Sequence, residues 1–417
     1  MNSPAVRTLW LQVFLPYAIG YFLSYLLRTV NAVMAPELSH GLGISAADLG
    51  LLTSAYLAAF AVMQLPLGIC LDRFGPRRVQ AALLLVAALG CAGFALGQNL
   101  TQLFVARALI GAGVSASLMA SYKSFSLWFP PSRQASLNAA IMVAGGLGAL
   151  TSSSPFSLLL PIVGWRWIFA GLAFLAVAVA ILILRSPEKP VASHAQGLRE
   201  QLAVLRGIMG SRNFWRFAPL IATMNGGFTA LQSLWAVPWL TEVVGLDRNG
   251  AAWYLLLLNL ALMAGYATVA TQLHRLTRRG WSLGHIMVGG GVLLQLTSLA
   301  VIVGAPGGST LWVLLGLVYA TTNLTYAHHA SRYPSTVSGR ANTCLNLAMF
   351  TGSFAFQWGF GIVADVTAAQ GRTHAEGLVL AWALLLALQV TALLWFVANR
   401  ERQGTTGAEA TSHARVP

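Results

Sequence analysis

Twelve apolar runs, most of them about twenty residues or longer, follow one another along this chain with only short polar breaks between them. They cover about 10–35, 48–70, 77–97, 101–127, 135–160 and 167–185, then about 214–240, 250–272, 281–304, 309–328, 337–363 and 376–399. A run of roughly 20 residues matches the hydrocarbon thickness of a bilayer. Only 9% of the residues are charged, where a soluble domain carries about 25%. A surface so poor in charge must face lipid. In lipid the backbone has to satisfy its own hydrogen bonds, so long apolar runs mean helices. The alternating pattern of barrel strands is absent. The first run is too long for a signal sequence and is expected to remain as the first span.

The longest internal polar stretch, 186–213, divides the runs six and six. The expected organisation is an N-terminal six-helix bundle over 1–185, a cytoplasmic linker over 186–213, a C-terminal six-helix bundle over 214–399, and a disordered cytoplasmic tail over 400–417.

The charges give an orientation. With the N-terminus placed inside, 19 of the 25 Lys and Arg fall in the termini and inward loops. Arg166, Arg248 and Arg372 fall in outward loops, and Arg28, Arg107 and Lys123 fall within spans. This asymmetry is the positive-inside signal. It predicts an inner-membrane protein with both termini cytoplasmic. It also accounts for the net charge of +14 as topology, so the bilayer is the expected partner and nucleic acid is not.

Cys70, Cys91 and Cys344 have neither metal-ligand nor disulfide spacing and read as small apolar packers. Phosphate loop, metal motif and nucleophile–base pair are all missing, so neither an enzyme nor a bound cofactor is expected.

Between the second and third runs lies Gly68-Ile-Cys-Leu-Asp72-Arg73-Phe-Gly75-Pro76-Arg77-Arg78, a tight charged turn in a chain nearly free of charge. It resembles the signature loop of the major facilitator superfamily. The resemblance extends to Arg107 with Gly111 and Gly113 in span four, Gly145-Gly146-Leu-Gly148 in span five, and Trp165-Arg166-Trp167 at span six. It implies an all-α fold of 12 transmembrane helices in two pseudo-symmetric bundles, a monomer that rocks about one central site. Residues Gly68, Asp72, Arg73, Gly75, Arg77 and Arg133 would then gate the inner side. Asp72 would dock at the cytoplasmic end of span eleven, where a helix N-terminus favours a carboxylate. The alternative is that the loop only anchors topology.

The equivalent second-half loop, His274-Arg275-Leu-Thr-Arg278-Arg279-Gly280, keeps the basic residues but has no acid. A faint repeat relates Arg133…Leu137-Asn138 and Gly145-Gly146 to Arg340…Leu345-Asn346 and Gly352, as duplicated halves would.

Charge inside a span points to function. In span one, Tyr17, Tyr21, Tyr25, Arg28 and Asn31 recur at three- and four-residue steps and form one polar-aromatic face. The run Tyr25-Leu-Leu-Arg28-Thr-Val-Asn31 is similar to the first span of the organophosphate and anion–cation carrier branches, where such an arginine binds the anionic group of the substrate. A guanidinium can donate two parallel hydrogen bonds to a carboxylate; bonding to backbone carbonyls is the structural alternative. Arg107 could share the anion site or brace the bundle. Lys123 could face the site or snorkel to the surface. The second half offers uncharged candidates: Gln232 and Trp235 in span seven, Asn323 in span ten, Asn346 and Gln357 in span eleven. The matching place in span seven for a second arginine is near Ala230, which disfavours a phosphate ester.

The leading expectation is a secondary transporter for a small organic anion. Two rivals stay open. One is an exporter of amphipathic drugs or a metallophore, suggested by Tyr25, Trp235, Trp239, Phe350 and Phe354. The other is a non-transporting sensor of the same fold.

Overall fold

A computed structural model describes residues 6–152, 154–189 and 198–399. The expected tail 400–417 and the linker stretch 190–197 lie outside the described residues. Long helices account for nearly all of the rest. In the first half they are α1 (Leu15–Leu42), α2 and α3 (two rods of the run Ala46–Leu96), α4 (Leu100–Trp128), α5 (Pro131–Thr151, continued by Ser154–Val163) and α6 (Trp165–Leu184). The second half contains α7, which runs from Arg212 to Val243, then α8 (Arg248–Arg278), α9 (Leu283–Ile302), α10 from Ser309 to Ala330, α11 (Ser335–Ala369) and α12 (His374–Ala398). Among the described residues nine helices are long and apolar enough to cross a membrane. The bent pair Ala140–Thr151 and Pro155–Val163 makes a tenth.

Local chemistry sets the helix ends. Gly75, with φ at 79°, breaks the second apolar run from the third; a side chain would be strained there, and Pro76 starts α3 beside it. At the opposite end, Ser45 and Asp48 form a capping box on α2, and Thr373 and Glu376 form another on α12. Two helices are irregular. In α7, π turns at Ala222–Gly226, Leu231–Trp235 and Trp239–Val243 interrupt the α-helix. In α10 a 3₁₀ turn covers Ala320–Asn323.

The expected linker contains a helix of its own, Leu198–Met209. Its Val204, Leu205 and Ile208 pack against Phe214, Ala218, Ala341 and Cys344, so this helix docks on the second half.

Two ends of the bundle can be told apart by charge. The loop at Gly75 and the linker mark a basic end; the loops at Gly43, Gly164 and Gly371 mark the far end. The halves close on each other at the far end. There α2 and α11 run antiparallel and touch backbone to backbone. A Cβ at Gly50 would lie 2.5 Å from the Gln357 carbonyl oxygen, and one at Gly361 would lie 2.2 Å from that of Ala46. Midway, the rings of Phe60 and Phe350 meet at 4.7 Å. Toward the basic end the two helices part: a Cβ at Gly68 or at Gly339 would meet nothing within 4 Å. The backbone-to-backbone approaches of α2 and α11 thus lie at the far end.

Candidate functional site

Glycines press the first helix into its bundle and so fix the face it turns inward. A Cβ at Gly148 of α5 would stand 2.2 Å from the Phe22 carbonyl oxygen, and one at Gly145 would stand 2.6 Å from the Tyr21 ring. With α1 seated this way, Arg28 emerges midway along it. Its guanidinium lies over the rings of Tyr25 at 4.8 Å, Phe60 at 5.0 Å and Phe350 at 5.7 Å. Two of those rings belong to the first half and one to the second, so Arg28 stands at the seam between the halves. Its Nε is buried without a hydrogen-bond partner. Among the described residues no carboxylate pairs with it. Cation–π contacts partly stabilise such a charge, but a bilayer interior still favours an anion beside it.

Arg107 lies behind this face. It is fully buried and donates from Nη1 to the Leu27 carbonyl at 3.2 Å, with its guanidinium over the Tyr56 ring at 5.1 Å. Of its two expected roles, this geometry fits the brace. Tyr56 adds to the clamp, donating from its hydroxyl to the Ser24 carbonyl at 3.2 Å. Asn31, also fully buried, donates to Thr53 Oγ1 at 3.0 Å and so ties α1 to α2. Lys123 is partly buried on α4.

The second half supplies an uncharged polar wall. Asn323 is its hub: it accepts from Asn225 at 3.2 Å and donates to the Tyr266 hydroxyl at 3.0 Å. Tyr326 donates to Asn346 at 2.9 Å. Gln232 donates to Asn259 at 2.6 Å.

Two expected wall residues sit elsewhere. Trp235 is 1% exposed and donates to the Gln357 carbonyl at 2.9 Å. The Gln357 side chain, fully buried, donates to Ser233 at 3.1 Å. Both therefore join α7 to α11 inside the bundle. Tyr266 and Asn259 of α8 were not expected: a few polar residues scattered through a long apolar run mark no continuous polar face.

At the expected gate, the Asp72 side chain lies outside the described residues. Arg77 pairs with Glu188 and donates to the carbonyls of Leu184 at 3.3 Å and Ser186 at 3.1 Å. It therefore fastens the loop to the end of α6. Arg73 is exposed over the Phe74 ring, Arg133 is exposed, and Gly68 is open on its Cβ side. Among the described residues no group of His, Cys, Asp and Glu could hold a metal ion.

A bundle of long apolar helices, with the Arg28 guanidinium set against a neutral polar wall where its halves meet, is a polytopic membrane protein. The chain belongs to the Major Facilitator Superfamily, which it matches over residues 17–353. It is 35% identical over 147 residues to a galacturonate transporter of Dickeya chrysanthemi, covering 35% of this chain and 41% of that one. It is 26% identical over 217 residues to a hexuronate transporter of Escherichia coli K12, covering 48% and 50%. The chain thus spans half or less of the length of these curated relatives. In fold it resembles an inward-facing, unoccupied bacterial homologue of the human lysosomal transporter Spinster. The TM-score is 0.75 at 17% identity, covering 94% of this chain and 98% of that one. A D-xylose–proton symporter superimposes with a TM-score of 0.71 at 16% identity, covering 92% and 96%.

Proposed function

We propose that this protein is a secondary transporter that moves a small polyhydroxylated carboxylate, such as a hexuronate, across the inner membrane by alternating access. One observation carries the reading: Arg28 has no carboxylate partner among the described residues and sits at the seam of the halves. A guanidinium there offers a substrate carboxylate two parallel hydrogen bonds. The wall of Asn225, Asn323, Tyr266, Tyr326 and Asn346 offers donors and acceptors suited to sugar hydroxyls. The galacturonate and hexuronate transporters among the relatives support this class.

The amphipathic exporter loses support, because Trp235 and Trp239 are each 1% exposed within the bundle. Twelve crossings, bundles over 1–185 and 214–399, a monomer, and cytoplasmic termini complete the proposal. The basic end then faces the cytoplasm.

The test is uptake of radiolabelled galacturonate and glucuronate into liposomes, with Arg28→Ala and Arg28→Lys alongside. Uptake should vanish in Arg28→Ala and be largely lost in Arg28→Lys, which keeps the charge but not the fork. Full uptake by Arg28→Ala would overturn the assignment. A reporter fused after Asn399 that proves periplasmic would overturn the orientation.

A further inference from the structure

The start of α2 is capped by a residue from the other half of the chain. A helix leaves its first N–H groups without partners. Ser45 Oγ takes the Asp48 N–H at 3.1 Å. The Asp365 carboxylate, at the far end of α11, takes the two before it: Ala46 N–H to Oδ1 at 3.1 Å and Ala47 N–H to Oδ2 at 2.8 Å. Each carboxylate oxygen thus accepts one bond, with the helix dipole favouring the negative charge. The contact is backed by the bare backbone approaches at Gly50 and Gly361. A second link across the same end joins Arg248 of α8 to Glu37 of α1 at 2.6 Å.

We propose that Asp365 is the latch of the far-end gate, a transport residue as necessary to the cycle as the groups that hold the solute. Its two bonds exist only while α2 and α11 touch. When the far end opens, the Ala46 and Ala47 N–H groups and the Asp365 carboxylate must all return to water. The latch therefore sets how much the closed far end is favoured. Because α2 and α11 are antiparallel, Asp365 does at one end what the signature loop would have Asp72 do at the other: an acid near the end of one helix caps the start of its partner. If Asp72 docks as the signature loop implies, the two caps would belong to opposite tilts of the same helix pair. The acid missing from the second-half loop His274–Gly280 thus has a counterpart at the opposite end of the membrane.

This rests on the reading of the chain as an alternating-access carrier, so the test reads the gate without any solute. Spin labels at Thr101→Cys and Arg372→Cys, exposed far-end sites in the two halves, are placed in a chain with Cys70, Cys91 and Cys344 changed to Ala. Pulsed electron resonance then gives the far-end distance distribution. Asp365→Ala should raise the ratio of long to short distances at least about tenfold, the change expected for losing even one charge-assisted hydrogen bond at the low end of its usual strength. Asp365→Glu should restore part of the short population. Gly361→Ala, which pries the same contact sterically, should shift the distribution the same way. An unchanged distribution in Asp365→Ala and Gly361→Ala, each still monodisperse, overturns the latch. Failure to transport any sugar acid would instead count against the carrier reading and leave these distances interpretable.

Discussion

Arg107 holds the carbonyl of Leu27, the residue immediately before Arg28, at 3.2 Å. A buried cation on α4 thereby fixes the turn of α1 that presents the half-buried Arg28. Replacing Arg107 with Met removes this bond but also removes a poorly satisfied buried charge, two of whose nitrogens have no partner. Such exchanges are often close to neutral for stability. The expected result is a melting temperature within a few degrees of the parent and a KM for the proposed sugar-acid substrate raised about fivefold to tenfold. A complete loss of transport, as expected for Arg28→Ala, would make Arg107 a ligand instead.

The Asn323 hub should matter for affinity. Asn323→Ala removes both the Asn225 and the Tyr266 bonds. At about 1 kcal/mol net for each hydrogen bond, KM should rise roughly tenfold or more with Vmax little changed. Tyr266→Phe removes one bond and should show a smaller rise. Uptake kinetics over a substrate series distinguish the two.

Gly148 and Gly171 make a matched pair. A Cβ at Gly148 collides with the backbone of α1, while one at Gly171 meets nothing within 4 Å. Overpacking of this kind costs about 1–3 kcal/mol, so Gly148→Ala should lower the melting temperature by several degrees. Gly171→Ala should leave it unchanged or raise it slightly, since alanine favours the helix by about 1 kcal/mol. Thermal unfolding in one detergent measures both.

Glu188→Gln should have little effect. The Arg77–Glu188 pair is partly exposed, and such pairs contribute about 0–1 kcal/mol. Arg77 also keeps the carbonyls of Leu184 and Ser186. Arg77→Ala should therefore loosen the loop more than Glu188→Gln does. Proteolysis at the basic end reports the difference.

The face of α1 was legible because that helix is regular: Tyr21, Tyr25 and Arg28 keep their spacing and share a side. In α7 the regular period does not carry through to Trp235. Each π turn inserts about one residue, which rotates the remainder of the helix by about 100°. Two such turns, Ala222–Gly226 and Leu231–Trp235, leave Trp235 pointing into the packing with α11. Gln357 is turned away from the polar wall for a different reason. It lies on the polar side of α11, and that side is covered by α7. Tyr266 and Asn259 acquire meaning only when α8 is set against α10 and α7, information that no single run contains.

The ring contact of Phe60 with Phe350 lies near the middle of both helices that carry it. Roughly fifteen residues, or about 22 Å at 1.5 Å per residue, separate it from Ala46 and Phe74 on one helix and from Asp365 and Ser335 on the other. A lever pivoted at its midpoint moves both tips by equal amounts. Tilting α2 against α11 about these two rings would spread the far end by as much as it draws the basic end together. Arg28, whose guanidinium lies 5.0 Å and 5.7 Å from the two ring centres, sits at the fulcrum, where the displacement is smallest. A solute held there would keep its grip while the opening around it changed sides.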